Sequence, residues 1–421
     1  MSIPPVFVLG PEAGTLNTRR LNRQRLLEAI RRLGPISRAD LAKRTRLSPP
    51  TVSALVEELA SERGLLREVG VGASSGGRPP ILLEFNADYG ALVGVDIGSR
   101  MIRFALADLQ GRVVARREVR THADSSSAVI DQVLDGIAGL VAESGRPASS
   151  LFSIGIGAPG MTDVTTGRVI RAANLSGWSD VPLRQIVESR FNAPAQIDND
   201  ANMAALGERW TGAASQVNDF VFIALGAGVG AGVMVGGRLH RGHHYYAGEI
   251  SRMSLDYREW QVDFGERGYL ESRIGASAIP EWARARALLE RAEYDREAAV
   301  RLIFEAARDG DAEASAVVNE LAVFLGNTVA NIVAVLDPAL VVFGGGLSHA
   351  GSLLLDPVRT VVSRIVPNVP ALEVSALGDD APLMGAVSTA LEVAQTRLLA
   401  IAANPGRPAA GVARSRRAHR R

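Results

Sequence analysis

One pattern, a buried strand running into a glycine turn and out again along a second strand, occurs twice in this 421-residue chain and argues for two related lobes. The first copy runs from Leu92 through Val95 and Asp96 into Gly98, returns along residues 102–108, and turns at Leu109-Gln110-Gly111 into a third strand over 113–121. The second runs along residues 221–225 into Gly226-Ala227-Gly228-Val229-Gly230-Ala231-Gly232, continues as a strand and turns at Gly236-Gly237-Arg238. Glycine leaves the backbone N–H groups bare, so either turn suits the phosphates of a nucleotide. A tight hairpin uses the same residues, and a single turn does not separate the two readings.

Ahead of these repeats the periodicity is helical. Leu26, Leu27, Ile30 and Leu33 share one face of a helix that Asn17 or Thr18 caps and Gly34-Pro35 ends. Ser37 caps a second, short helix holding Asp40, Leu41 and Ala42. Ser48 and Pro49 open a third, whose inward stripe is Val52, Leu55, Val56 and Leu59. Three short helices in this order predict a helix-turn-helix. Its third helix would enter the major groove, with Ser48, Thr51 and Ser53 near base edges. Arg44 and Arg46 in the turn, with Arg23 or Arg25 on the first helix, would hold phosphates. Strands over 65–69 and 81–85 flank a glycine-rich stretch with Arg78 at its tip, a wing suited to a narrow minor groove. The competing reading is a three-helix bundle that packs on its neighbour and binds nothing.

Charge supports the DNA reading. Residues 1–90 carry a net charge of +4, residues 404–421 carry six Arg and no acidic residue, and the 313 residues between them carry −9. Lys43 is the only Lys among 46 basic residues, a usage that a GC-rich genome explains, although Arg also matches phosphate and guanine geometry. No cysteine is present, which removes disulfides and thiolate metal sites. No apolar run reaches the roughly 18 to 20 residues of a membrane span, so a cytoplasmic protein with no membrane partner is expected.

At this point the chain resembles the ROK family (repressor, open reading frame, kinase) from about residue 17 to 395, and its helix-turn-helix places it in the repressor branch. Asp96, Gly98 and Arg100 fall in a segment similar to the family's first phosphate loop. Gly226, Gly228 and Gly230 resemble the second, and Gly344, Gly345 and Gly346 the adenosine-side motif. The resemblance implies an α/β fold: a winged helix-turn-helix followed by a two-lobed actin-like (ribonuclease H-like) sugar-kinase ATPase fold. Expected boundaries are a flexible 1–16, a DNA-binding domain over 17–86 and a kinase-like domain over 90–403. Within the latter, lobe one is about 90–205 with helix 383–403 and lobe two about 206–382, while 404–421 forms a disordered Arg-rich tail. In the segment 197–202, Asp200 would be the general base toward a sugar hydroxyl. Asn174, Asn199, Glu249 and Glu271 would bind hydroxyls, since carboxylates and amides pair with neighbouring hydroxyls.

The departures from the family fall where its chemistry lies. Its zinc-bearing members carry a histidine and three cysteines where this chain has Arg252, Val262, Phe264 and Tyr269, so no metal is expected. Packing of Phe264 and Tyr269 would hold that loop instead, and Arg252 would face the sugar. Arg100 and Ala227 replace two threonines of the phosphate loops, which argues against ATP as a cofactor and for weak or absent kinase activity. The expected partners are a double-stranded DNA operator, a sugar or sugar-phosphate effector, and a second or further copy of the chain in a homodimer or homotetramer. The function expected is repression of carbohydrate-metabolism genes. The alternatives are an ATP-dependent sugar kinase with an appended DNA-binding domain, and a constitutive DNA-binding protein whose body only dimerises.

Overall fold

A computed structural model describes residues 15–62, 64–72, 79–172, 175–226, 228–282, 285 and 299–403. Arg78, Asn174, Ala227 and the Arg-rich segment 404–421 lie outside the described residues.

Helices α2 (Arg38–Thr45) and α3 (Pro49–Glu57) form where their caps require them, whereas α1 (Thr15–Leu33) already includes Asn17 and Thr18, so neither residue caps it as expected and its apolar periodicity carries the helix past them. The Ser37 hydroxyl accepts the Asp40 N–H at 3.1 Å, and the Ser48 hydroxyl accepts the Thr51 N–H at 3.3 Å. Between α2 and α3, Arg46 turns the chain through the left-handed region at φ 58°. Strands β1 (Ile36–Ser37), β2 (Leu66–Val71) and β3 (Ile81–Phe85) pair antiparallel in the order β1-β3-β2, the winged hairpin. Leu26, Leu27, Leu41, Val52, Val56 and Phe85 are fully buried between the helices and this sheet.

The body holds two five-stranded sheets. In the first, β4 (Ala91–Ile97), β5 (Met101–Asp108) and β6 (Val113–Arg120) make the antiparallel meander. Strands β7 (Leu151–Ala158) and β11 (Ala195–Asn199) add in parallel to β4, giving the order β11-β7-β4-β5-β6. The small sheet β8 (Met161–Asp163), β9 (Arg168–Arg171) and β10 (Ser179–Val181) projects between β7 and β11 in sequence. Helices α4 (Ser126–Glu143) and α5 (Leu183–Phe191) bury Val133, Ile137 and Val187 against the Val93 and Val95 face. In the second sheet, β12 (Phe220–Leu225), β13 (Val229–Val235), β14 (Arg238–His240), β15 (Leu340–Gly344) and β16 (Ala371–Val374) follow the order β14-β13-β12-β15-β16. Its outer face is covered by α7 (Gly268–Ile274), α8 (Ala299–Arg308), α9 (Ala312–Leu336) and α10 (Ser352–Ile365).

Two helices, α6 (Asp200–Thr211) and α11 (Ala381–Ala403), lie where the sheets meet. Their crossing requires glycine: a Cβ on Gly385 would stand 1.7 Å from the Met203 carbonyl oxygen. Helix α9 is long and apolar enough to cross a membrane, contrary to the expectation that no such stretch exists. Its residues Leu321, Leu325, Val329 and Val333 are buried in the core of the second sheet, and that packing explains its composition.

Candidate functional site

The parallel strands β4, β7 and β11 all end at one edge of the first sheet, the edge that faces the second sheet, and ligand crevices form at such carboxyl ends. A cavity of about 620 Å³ opens there. Asp96 and Gly98 enter it from β4 and its turn, Asn199 and Asp200 from the junction of β11 with α6. The second lobe contributes Gly226, Gly228 and Gly230, then Glu249, Arg252 and Glu271, and Gly345 after β15. Among the expected residues, Arg100, Gly344 and Gly346 do not line it.

Asn199 is committed to architecture. Its side-chain oxygen caps α6 by accepting the Asn202 N–H at 3.1 Å, and its amide donates to the Gly160 carbonyl at 3.0 Å. Asp200 opens α6, where the helix dipole favours an acid, and accepts the Ala201 N–H at 2.8 Å. Burial nevertheless pushes its carboxyl up to about 6, with the Glu249 carboxylate adding to the rise and the Ala201 N–H opposing it. Asp96 is pushed up to about 7 by burial and by Asp200, while Arg103 opposes the rise through a bond of 3.3 Å. Burial also raises Glu249 and Glu271, and the latter accepts the Val229 N–H at 3.0 Å. Asp96 and Asp200, pushed up to about 7 and about 6, can both donate and accept near neutral pH, which suits the adjacent hydroxyls of a polyol.

Sequence reasoning passed over Arg103 and Arg171 in the cavity lining and the buried Asp198 beside Asn199. Arg103 binds Asp96 at 3.3 Å, Glu118 at 3.5 Å and Asp379 at 3.9 Å, and it stands directly opposite Asp96 in the β4–β5 register. Counting across the Gly98 turn would have found that pairing. Asp198 is buried, accepts Asn202 at 2.9 Å and pairs with Arg241 at 2.7 Å, a contact between lobes that no sequence spacing announces. Arg171 lines the cavity mouth and pairs with Glu266 of the opposite lobe.

The segment that would hold zinc is tied by other means. Phe264 and Tyr269 meet edge to face with centroids 5.2 Å apart, and the Arg273 guanidinium lies 5.7 and 5.6 Å from their rings. Arg252 donates to the carbonyls of Gly265 at 3.4 Å and Glu266 at 3.0 Å, so its guanidinium braces this loop while lining the cavity.

The fold family also implies a nucleotide at the glycine turns. A triphosphate there would face Asp96 and Asp379, with Arg103 already paired to both. Arg100 is exposed outside the cavity lining, and residue 227 carries no hydroxyl. The two loops therefore offer phosphate two hydroxyl donors fewer than the family pattern.

On the helix-turn-helix, Arg44, Arg46, Ser48 and Ser53 are exposed and Thr51 is half-buried. The Thr51 hydroxyl lies 2.7 Å from that of Ser48, so the two share the helix cap. Arg25 is exposed on α1, but Arg23, considered above as a phosphate contact, is buried. It pairs with Glu58 at 3.2 Å and donates to the Ala403 carbonyl at 3.0 Å, because that face of α1 packs on the end of α11.

Comparison with known proteins agrees with this architecture. The ROK family pattern matches residues 92–393, and a winged helix-turn-helix DNA-binding pattern matches residues 19–62. The xylose repressor of Caldicellulosiruptor bescii is 32% identical over 383 residues, covering 88% of this chain and 95% of that protein. A solved ROK family transcriptional regulator, a homologue of the E. coli MLC protein, superposes with a TM-score of 0.73 at 25% identity, covering 92% of this chain and 99% of that one. A ROK family glucokinase from Streptomyces griseus, solved with glucose and AMPPNP, gives a TM-score of 0.63 at 31% identity over 72% of this chain and 100% of its own. With its family pattern spanning both lobes and a winged helix-turn-helix docked ahead of them, the chain belongs to the ROK family.

Proposed function

We propose that this protein is a sugar-responsive, DNA-binding repressor of carbohydrate-metabolism genes, and that a sugar in the cleft releases the operator. The observation that carries the reading is the joining, in one chain, of an exposed, capped recognition helix to a cleft of near-neutral carboxyls. Similarity to a xylose repressor along 88% of the chain supports it. Asp200, Glu249 and Glu271 would bind the hydroxyls, and Asn174 would join them. Ser48, Thr51 and Ser53 would meet base edges, Arg44 and Arg46 would hold phosphates, and Arg78 would enter the minor groove.

The operator-bound form would be a homodimer or homotetramer with half-sites about 34 to 36 Å apart. Val323 and Val335 of α9 are 50% and 81% exposed, and they are apolar residues that a second copy would cover.

Fluorescence anisotropy with promoter DNA flanking the gene, at fixed salt and with a panel of neutral and phosphorylated sugars, tests the proposal. One compound should weaken DNA binding at least tenfold, about 1.4 kcal/mol of coupling. Specific DNA binding that no sugar moves would leave a constitutive DNA-binding protein, and turnover of ATP on a sugar would favour the kinase.

A further inference from the structure

We propose that Arg23 is a positioning residue for DNA recognition, the joint that fixes the recognition helix α3 in one orientation on the kinase-like body. The inference rests on the repressor reading for its DNA and on the fold for its geometry. Arg23 lies on α1 and is buried. One nitrogen of its guanidinium donates to Glu58, the residue just past α3, at 3.2 Å, and another donates to the Ala403 carbonyl on the last turn of α11 at 3.0 Å. A single side chain thus ties the end of the helix that faces DNA to the end of the helix whose start, at Pro382, lines the cleft. Arg19 makes a second bond to Glu58.

The surroundings explain what a charge does there. Leu26 and Leu27 of α1, Leu55 and Val56 of α3, and Leu398 and Ala402 of α11 belong to one continuous apolar core. Apolar contacts are non-directional, so such an interface admits neighbouring registers of α1 on α11 at similar energy. A buried ion pair contributes little net stability once both charges lose their water, yet its geometry is satisfied in one register only. Gln24, one residue on, donates to the Leu399 carbonyl at 3.0 Å in that same register. The guanidinium also meets a carbonyl at the negative end of the α11 dipole, where a cation is favoured.

Orientation matters to a regulator that reads two half-sites, because their spacing is matched only when each recognition helix is fixed on its body. Phosphate contacts carry no base information and tolerate a tilted helix, so loss of the joint should fall on promoter DNA and spare non-specific binding.

The test replaces both partners in one chain, Arg23→Met with Glu58→Met, so that neither charge is left stranded. A second chain, Arg23→Lys, keeps the charge but lacks the fork that spans both partners. Each full-length chain is measured by thermal denaturation and by fluorescence anisotropy on promoter and scrambled duplexes. Because the sequence contains no cysteine, Ala54→Cys on α3 and Glu392→Cys on α11, both exposed positions, carry spin labels that report the distance between the two helices. For the double variant the expected result is a melting temperature within about 3 °C of the parent, promoter affinity lower by about tenfold or more, and scrambled affinity within about threefold. Its label distance should spread from one narrow distribution into several, and Arg23→Lys should move promoter affinity and label distance in the same direction. Promoter affinity within about threefold of the parent, with an unchanged label distance, overturns the proposal. So does a melting temperature lower by more than about 8 °C with equal loss on both duplexes, the signature of a contact that only supports the fold. If the parent itself shows no promoter preference, the repressor reading fails, and the label distance alone still decides the role of Arg23.

Discussion

Four carboxyls share the cleft, Asp96, Asp200, Glu249 and Glu271, and burial raises the pKa of each above its ordinary value. A folded state that holds its protons more tightly than the unfolded chain loses stability as pH rises through the window between the two pKa values. For Asp200 and Asp96 that window runs from the ordinary carboxyl value of 3.8 to about 6 and about 7. Thermal denaturation should therefore show the folded protein relatively more stable near pH 5.5 than near pH 8. Asp200→Asn should remove part of this slope, raising stability at pH 8 by on the order of 1 kcal/mol, while lowering the effect of sugar on DNA binding about tenfold. A variant that gains stability yet keeps the full sugar response would sink the assigned role of Asp200. Arg103→Gln acts in the opposite sense: it should cost about 1 to 2 kcal/mol at pH 8, where Asp96 is ionised, and less at pH 6, where Asp96 is protonated. Asp200 and Glu249 were legible because each sits in a short motif next to asparagine or glycine, and Glu271 because the family resemblance runs through Leu270-Glu271. Arg103 was legible only through strand register, and Arg241 not at all, since its bond to Asp198 exists only once the lobes have met.

Helices α2 and α3 could be read from the sequence because each carries its own cap and a single apolar stripe, so local and tertiary signals coincide, while α1 was legible through its stripe alone and its start was misplaced. Helix α11 shows no such stripe. Leu383 and Val387 pack on the first sheet, Gly385 crosses α6, and Leu398 and Ala402 meet α1, so it is apolar on several faces and its role as the seat of the DNA-binding domain stayed hidden. That seat links cleft to DNA, since Asp379 and Pro382 at its start line the cavity and Leu399 and Ala403 at its end accept from α1. Gln24→Ala should leave DNA and sugar affinities within about threefold of the parent when each is measured alone, yet reduce their coupling by about 1 kcal/mol. Unchanged coupling in a thermodynamic cycle of the two ligands would show that the signal takes another route. The loop over 262–269 makes a second prediction at this scale. Phe264 and Tyr269 stand at ligand positions of the family's zinc-bearing members and pack with Arg273, so Phe264→Ala should cost about 2 kcal/mol in denaturant titration, whereas a chelator should shift the melting temperature by less than about 1 °C.

At the scale of the whole molecule, contacts among the described residues join the first lobe to the second: Arg103 with Asp379 at 3.9 Å and Arg116 with Asp380 at 2.6 Å just before α11, and, farther out, Thr165 with Tyr245 at 2.7 Å, Asp198 with Arg241 at 2.7 Å, and Arg171 with Glu266. They differ in weight. Arg171 and Glu266 are both more than half exposed, and such pairs contribute little in water. Asp198 is buried, so removing Arg241 would strand a charge and disturb folding along with closure. Tyr245→Phe is the cleaner probe, because it deletes one hydroxyl bond worth about 1 kcal/mol and leaves the ring in place. A ligand shifts a conformational equilibrium only by its preference for one arrangement, and linkage makes the effect reciprocal. If sugar selects the closed cleft and DNA the open one, Tyr245→Phe must act on both ligands in opposite directions. Apparent sugar affinity should fall about fivefold, and DNA affinity without sugar should rise by up to the same factor. Loss of both affinities would indicate damage to the fold, and a change in neither would mean that the lobes do not move relative to one another when the repressor switches.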